Sequence, residues 1–173
     1  MDKFLPDIYQ KSIYTINYAK LKDRGIKCIL FDLDNTLSPT NMKEPSQKLI
    51  DLINELKDMG FKIIIFSNSH KKRIKPFKDG LMIDAAHSCM KPFKKKFIKI
   101  MQIYGFNESE IAIVGDQLLT DILGGNKVDI TTILINPISK KDGVFTILNR
   151  MIEKRIFKKF KKNNLFEKGT YYE

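Results

Sequence analysis

The chain is predicted to be an α/β protein built on a parallel sheet of about five strands, with helices on both faces. Short, largely apolar runs recur at 26–31, 61–66, 81–85, 111–114 and 131–135. Between them lie stretches whose apolar residues fall at helical spacing, and no connection carries a hairpin signal. Strands that are apolar throughout, rather than alternating, are those buried on both faces of a parallel sheet.

In order along the chain, residues 6–16 mix aromatic and aliphatic side chains without a clean period. They read as a lead-in packed on the body. Asn17 is a candidate N-cap for a short helix through Tyr18, Leu21 and Asp23, stopped by Gly25. The strand 26–31 ends on an acidic turn and a loop with Pro39 and Pro45. Ser46 is placed to cap a helix whose apolar face is Leu49, Ile50, Ile53, Leu56 and Met59, with Gly60 as its end. The strand 61–66 stops at Ser67-Asn68-Ser69, and a basic segment, 70–78, interrupted by Pro76, leads into the third strand, 81–85. Lys91-Pro92 is expected to open a helix, Pro being favoured at the first helical position, with Phe93, Phe97, Ile100, Met101 and Tyr104 on one face. The strand 111–114 ends at Gly115-Asp116; a helix over 117–123 is expected to be closed by Gly124-Gly125 and followed by the strand 131–135. The last helix starts near Val144, and Val144, Phe145, Leu148, Met151 and Ile152 read as its sheet-packing face.

A length of 173 residues suits one domain with a single sizeable core, and 43% hydrophobic with 29% charged residues fits a globular protein. No run reaches the roughly 18 consecutive apolar residues of a membrane span, and the first residues lack an apolar secretion segment. Cys28 and Cys89 do not make a disulfide framework, so the expected compartment is the cytoplasm. The net charge of +11 favours anionic partners, although a chain this rich in Lys, Ile and Asn is basic everywhere. His70 and His87 have no metal-type spacing with either cysteine.

The chemistry concentrates where strands end. Open parallel sheets bind ligands at the carboxyl ends of their strands. Four such ends carry unusual polar residues: Asp32 and Asp34, then Ser67, then Lys91, then Asp116 with Asp121 close behind. Two carboxylates two residues apart on a strand end repel each other unless a cation or shared proton is present. Together these residues suit phosphoryl transfer through a carboxyl-phosphate. Asp32 can attack phosphorus once anion repulsion is screened, which a hard dication such as Mg²⁺ held by Asp32, Asp116 and a backbone carbonyl would do. Asp34 is spaced to protonate the leaving oxygen and then activate water. Ser67 and nearby N–H groups can hold phosphoryl oxygens, and Lys91 can stabilise their spreading charge.

The pattern resembles the haloacid dehalogenase (HAD) superfamily of aspartate-nucleophile phosphatases. Asp32-Leu33-Asp34-Asn35-Thr36, Ser67-Asn68, Lys91-Pro92, and Gly115-Asp116 with Asp121 match its four motifs in order. The resemblance implies a three-layer Rossmann-like fold and Mg²⁺ dependence. It further implies Asp32 as nucleophile and metal ligand, and Asp34 as acid/base whose backbone carbonyl binds the metal. Asp116 and Asp121 complete the metal set, while Ser67, Asn68 and Lys91 bind the substrate phosphate. The stretches 37–49 and 68–90 leave no room for a folded cap domain, so an open site is expected. The lead-in, the first motif and Gly115-Asp116-Gln117-Leu118-Leu119-Thr120-Asp121 look like the small bacterial YqeG-like family, itself similar to phosphatidylglycerophosphate phosphatases. That likeness implies a lipid headgroup phosphate as substrate. The expected organisation is a lead-in at 1–25, a phosphatase domain at 26–152 and a basic extension at 153–173.

Between Arg150 and Lys162 there are seven basic residues and one acid, Glu153. An anionic membrane surface or an RNA backbone would suit them equally on charge; agreement with a lipid phosphate puts the membrane first, so a peripheral position at the inner membrane face is expected. Other readings remain open: hydrolysis of a nucleotide, sugar phosphate or phosphoprotein, a phospho-acceptor module, or a basic RNA- or ribosome-associated protein. A phospho-acceptor module carries its acidic pair before the acceptor Asp, whereas here Asp116 and Asp121 come last.

Overall fold

Strand β2 (Cys28–Phe31) lies inside a six-stranded sheet of order β1-β6-β5-β2-β3-β4. Its companions are β1 (Ile8–Gln10), β3 (Lys62–Phe66), β4 (Asp84–Ala86), β5 (Ile111–Gly115) and β6 (Thr131–Ile135), and every neighbouring pair is parallel. The computed structural model describes residues 2–139 and 144–173, except the side chains of 144–146.

Alternation along β2 explains both layers. Ile29 and Phe31 pack with Leu49, Ile53 and Leu56 of α2 (Gln47–Asp58, following α1, Tyr18–Asp23) and with Ile74 and Phe77 of α3 (Lys71–Leu81). Cys28 and Leu30 point to the opposite face, against Phe97 and Ile100 of α4 (Lys94–Tyr104). Strand β2 is therefore apolar on both sides, as the sequence predicts. Asn17 and Ser46 cap α1 and α2 by accepting from the amides of Lys20 and Leu49. Gly25 and Gly60, at φ +89° and +92°, take the left-handed turn that releases each helix into the next strand.

Several elements differ from expectation. The sheet has a sixth strand, β1, at its edge, inside the stretch read as a lead-in. Three residues are too few to show a period; β6 pairs with one side, while Tyr172 exchanges backbone hydrogen bonds with Tyr9. The basic segment is helix α3, which tolerates Pro76 because that position is exposed and the buried stripe is Ile74, Phe77 and Leu81. It uses up Leu81, so β4 starts only at Asp84. Lys91–Pro92, a cis peptide bond, precedes α4 rather than opening it, and Phe93 is exposed. Gly124 and Gly125 lie within α5 (Leu123–Asn126) rather than closing a helix. They are small because a Cβ would meet the Phe97 ring at 2.9 Å in one case and Ile113 at 2.7 Å in the other.

The largest difference is the last helix, α6 (Val144–Lys162). Leu148, Met151 and Ile152, expected against the sheet, are 59%, 57% and 41% exposed. Val144 and Phe145 belong to the same expected face, but their side chains lie outside the described residues. The helix turns Glu153 and Phe160 inward instead, and Phe160 joins Tyr9, Leu118, Leu134 and Phe166 in a third apolar cluster. It runs unbroken across 152–153, and Phe166 of the last segment is buried in that same cluster. Among the described residues, no helix is long and apolar enough to cross a membrane.

Candidate active site at the carboxyl ends of the strands

The connection leaving β2 goes to β3 on one side, while β5 flanks β2 on the other. A crevice opens where chain order reverses in this way. The acidic turn after β2 enters that crevice. The Asp32 amide still donates to the Val114 carbonyl of β5, and Leu33 is fully buried beneath the loop. The Leu33 carbonyl accepts from the amides of Leu37 and Ser38, which rolls the chain over and leaves Asp32 and Asp34 facing the crevice.

The other strand ends converge on it. Ser67 follows β3, and its hydroxyl accepts from the Ser69 amide at 3.2 Å. Lys91 is fixed at its backbone by Asn68: its amide donates to Asn68 Oδ1 at 2.7 Å, and Asn68 Nδ2 donates to its carbonyl at 3.2 Å. The buried Lys91 ammonium lies between two carboxylates, 2.7 Å from Asp32 Oδ1 and 2.6 Å from Asp121 Oδ1. Asp121 is carried back to the strand end by a π-helical turn, Leu118–Ile122. Its Oδ2 accepts from the Gln117 amide and the Thr120 hydroxyl. Gly115 must be glycine, because a Cβ there would overlap the Asp121 carboxylate. Thr36 donates to Asp116 Oδ1 at 3.4 Å.

Asp32, Asp34, Ser67, Asn68, Ser69, Lys91, Gln117, Thr120 and Asn149 line a cavity of about 170 Å³. That is room for a phosphoryl group rather than a whole large substrate. Larger hollows exist, but the one lined by Phe61, Lys62 and Asp84 lies where β3 and β4 begin, away from this chemistry.

One oxygen from each of Asp32, Asp116 and Asp121 falls within 4.8 Å of the other two, and all three residues are buried. Burial pushes the Asp32 carboxyl up to about 6 against the pull of Lys91, with the Asp121 charge adding to the rise. Burial pushes Asp116 up to about 8, with Arg150 opposing and Asp32 and Asp121 reinforcing. Burial by itself would lower Lys91, yet the charges of Asp121 and Asp32 hold it above its ordinary value. The three buried carboxyl groups of this cluster face two cations, Lys91 and Arg150. An all-oxygen donor set of this kind fits a hard dication such as Mg²⁺. The Asp34 side chain is turned away from the cluster. Its Oδ2 accepts from Ser69 Oγ at 2.6 Å, and its Oδ1 from Arg73 Nε and Nη2 at 3.0 and 2.9 Å.

Four of these contributors were given no role by sequence, although the basic stretch that holds Arg73 was expected near the rim of the site. Arg73 and Ser69 hold Asp34. Arg150 of α6 binds the Asp116 carboxylate and donates to its carbonyl at 2.7 Å. Glu153 accepts from Arg150 at 3.0 Å and from the Leu119 amide at 3.1 Å, joining α6 to the π-helical turn. Its signal was present: it is the lone acid in a run of seven basic residues, three positions after Arg150.

A parallel sheet with these residues at its carboxyl edge, and no large cap domain, defines a HAD-type phosphatase, a phosphoric monoester hydrolase. A structure assigned to HAD superfamily subfamily III A, from Legionella pneumophila, shares the fold at TM-score 0.53 and 18% identity, over 69% of this chain and 71% of that one. The chain belongs to the family described as mitochondrial PGP phosphatase, which matches residues 1–139. It is 38% identical to the "Probable phosphatase YqeG" of Bacillus subtilis over 92% of both chains. It is 27% identical to phosphatidylglycerophosphate phosphatase 1, chloroplastic/mitochondrial, of Arabidopsis thaliana, over 93% of this chain and 49% of that longer protein.

Proposed function

We propose that the protein is a Mg²⁺-dependent phosphatase of a lipid headgroup monoester, converting phosphatidylglycerophosphate to phosphatidylglycerol through an aspartyl-phosphate. The observation that carries the reading is the meeting of Asp32, Asp34, Ser67 and Lys91 around one phosphate-sized cavity. The family relationship supports the lipid substrate, and so does the open site: with no cap domain, a phosphate standing on a large surface can reach Asp32.

In this reading an Asp32 oxygen attacks phosphorus as the ester P–O bond breaks, and Asp34 gives its proton to the departing alkoxide. Asp34 then takes a proton from water, which attacks the same phosphorus; the bond to Asp32 breaks and inorganic phosphate leaves. Ser69 and Arg73 aim Asp34 during both transfers. The Ser67 hydroxyl and the Lys91 ammonium hold the phosphoryl oxygens, and Asn68 keeps Lys91 in place. Asp32, Asp116, Asp121 and the Asp34 carbonyl would hold Mg²⁺, whose charge offsets the repulsion between carboxylate and phosphate. Arg150 steadies Asp116 from behind.

The test is turnover of an aryl phosphate with Mg²⁺, abolished by EDTA and by Asp32→Asn. Asp34→Asn should release a burst of about one aryl alcohol per enzyme and stall as the aspartyl-phosphate. Phosphatidylglycerophosphate should be hydrolysed well ahead of nucleotides, sugar phosphates and phosphopeptides. Equal, feeble rates on all of them would remove the lipid assignment.

A further inference from the structure

The outward face of α6 changes character along its length. Ile147, Leu148, Met151 and Ile152 are exposed over the first turns, at 52%, 59%, 57% and 41%. Further along, Arg155, Lys158, Lys159 and Lys162 are exposed on the same side of the helix. Positions 147, 151 and 155 form one ridge at four-residue spacing, so the apolar and basic halves are continuous. The opposite face of the same turns is in the active site: Asn149 lines the catalytic cavity and Arg150 binds Asp116. Met90 and Phe93, on either side of Lys91, are likewise 67% and 63% exposed. The four α6 side chains left in water are neighbours on one helix face, and a contiguous group of this kind marks a contact surface.

We propose that this face docks on an anionic lipid leaflet, with the apolar turns of α6 entering the interface and its basic turns lying on headgroup phosphates. Charge selects this occupant. A second copy of the chain would set Arg155, Lys158 and Lys162 against apolar or equally basic turns of the same helix, and neither supplies the opposite charge. An anionic leaflet satisfies both halves, apolar residues in the acyl boundary and cations above it. The proposal deepens the lipid-headgroup reading above and rests on it.

Sedimentation with substrate-free vesicles tests it. The protein should bind phosphatidylcholine vesicles containing phosphatidylglycerol and not pure phosphatidylcholine. Leu148→Ser with Met151→Ser should weaken binding at least about tenfold, since each methylene withdrawn from the leaflet costs roughly fourfold. Lys158→Ala with Lys162→Ala should weaken it at low salt. Both variants should keep full turnover of a soluble aryl phosphate, which shows that they fold. Unchanged binding by the serine variant would overturn the proposal, as would absence of wild-type binding, or a dimer dissolved by the same substitutions. Hydrolysis of a monomeric short-chain phosphatidylglycerophosphate is measured separately: its absence would sink the substrate reading while vesicle binding still decides the docking face.

Discussion

Lys91→Met should cost the metal-free protein more stability than any surface change, and the size follows from the geometry. The ammonium lies 2.7 Å from Asp32 and 2.6 Å from Asp121, with side-chain exposures of 2%, 7% and 0% for the three residues. Methionine matches its volume but leaves two buried carboxylates without their cation. Breaking a buried pair by removing one partner costs about 3–5 kcal/mol, against a total stability of about 5–15 kcal/mol. Urea unfolding in EDTA should therefore show a large fall in midpoint with an unchanged slope. The decisive arm is Lys91→Met with Asp121→Asn. The asparagine oxygen can still accept from the Gln117 amide and the Thr120 hydroxyl, so this second change removes charge and little else. The double variant should recover about 1.5–3 kcal/mol relative to the sum of the single losses. Strictly additive losses, or a single-variant loss below about 1 kcal/mol, would mean that Lys91 does not neutralise this cluster.

Two further outcomes are expected. Gly115→Ala drives a methyl into the Asp121 carboxylate, which Lys91, Gln117 and Thr120 hold in place; it should lower aryl-phosphate kcat by about 100-fold and stability by about 1–3 kcal/mol, and a near-normal rate would contradict the packing. Burial pushes the Cys28 thiol up to about 12 and the Cys89 thiol up to about 11. Raised values keep both as thiols at pH 8, so a disulfide reagent should label neither in the folded protein and both in guanidinium; rapid labelling before unfolding would refute their placement.

The catalytic edge is legible in the sequence for a physical reason. Asp32, Ser67 and Asp116 each directly follow an apolar run that can only be a buried strand, and a parallel sheet aligns those ends. The residues that brace the edge are harder to read, because they reach it from helices whose orientation the pattern leaves open. Arg73 sits in a basic segment whose buried stripe, Ile74, Phe77 and Leu81, is masked by lysines and Pro76.

Helix α6 shows the difficulty most clearly. Its sequence presents two arcs, and the more apolar one, through Leu148, Met151 and Ile152, is the one left in water. Burying those three would contribute about 1.5–3 kcal/mol each by simple transfer. The opposite arc competes with fewer apolar atoms near its start but two other contributions. It buries Phe160 completely within the Tyr9 and Phe166 cluster, and it supplies Arg150 and Glu153 to a buried carboxylate and an open backbone amide that would otherwise lack these partners. A charge left unpaired in such a place costs about as much as two buried aliphatic side chains contribute. The lone acid in a basic run was therefore the better guide to the inward face than the count of aliphatic residues. The arc that lost this competition is the surface proposed above to dock on an anionic leaflet.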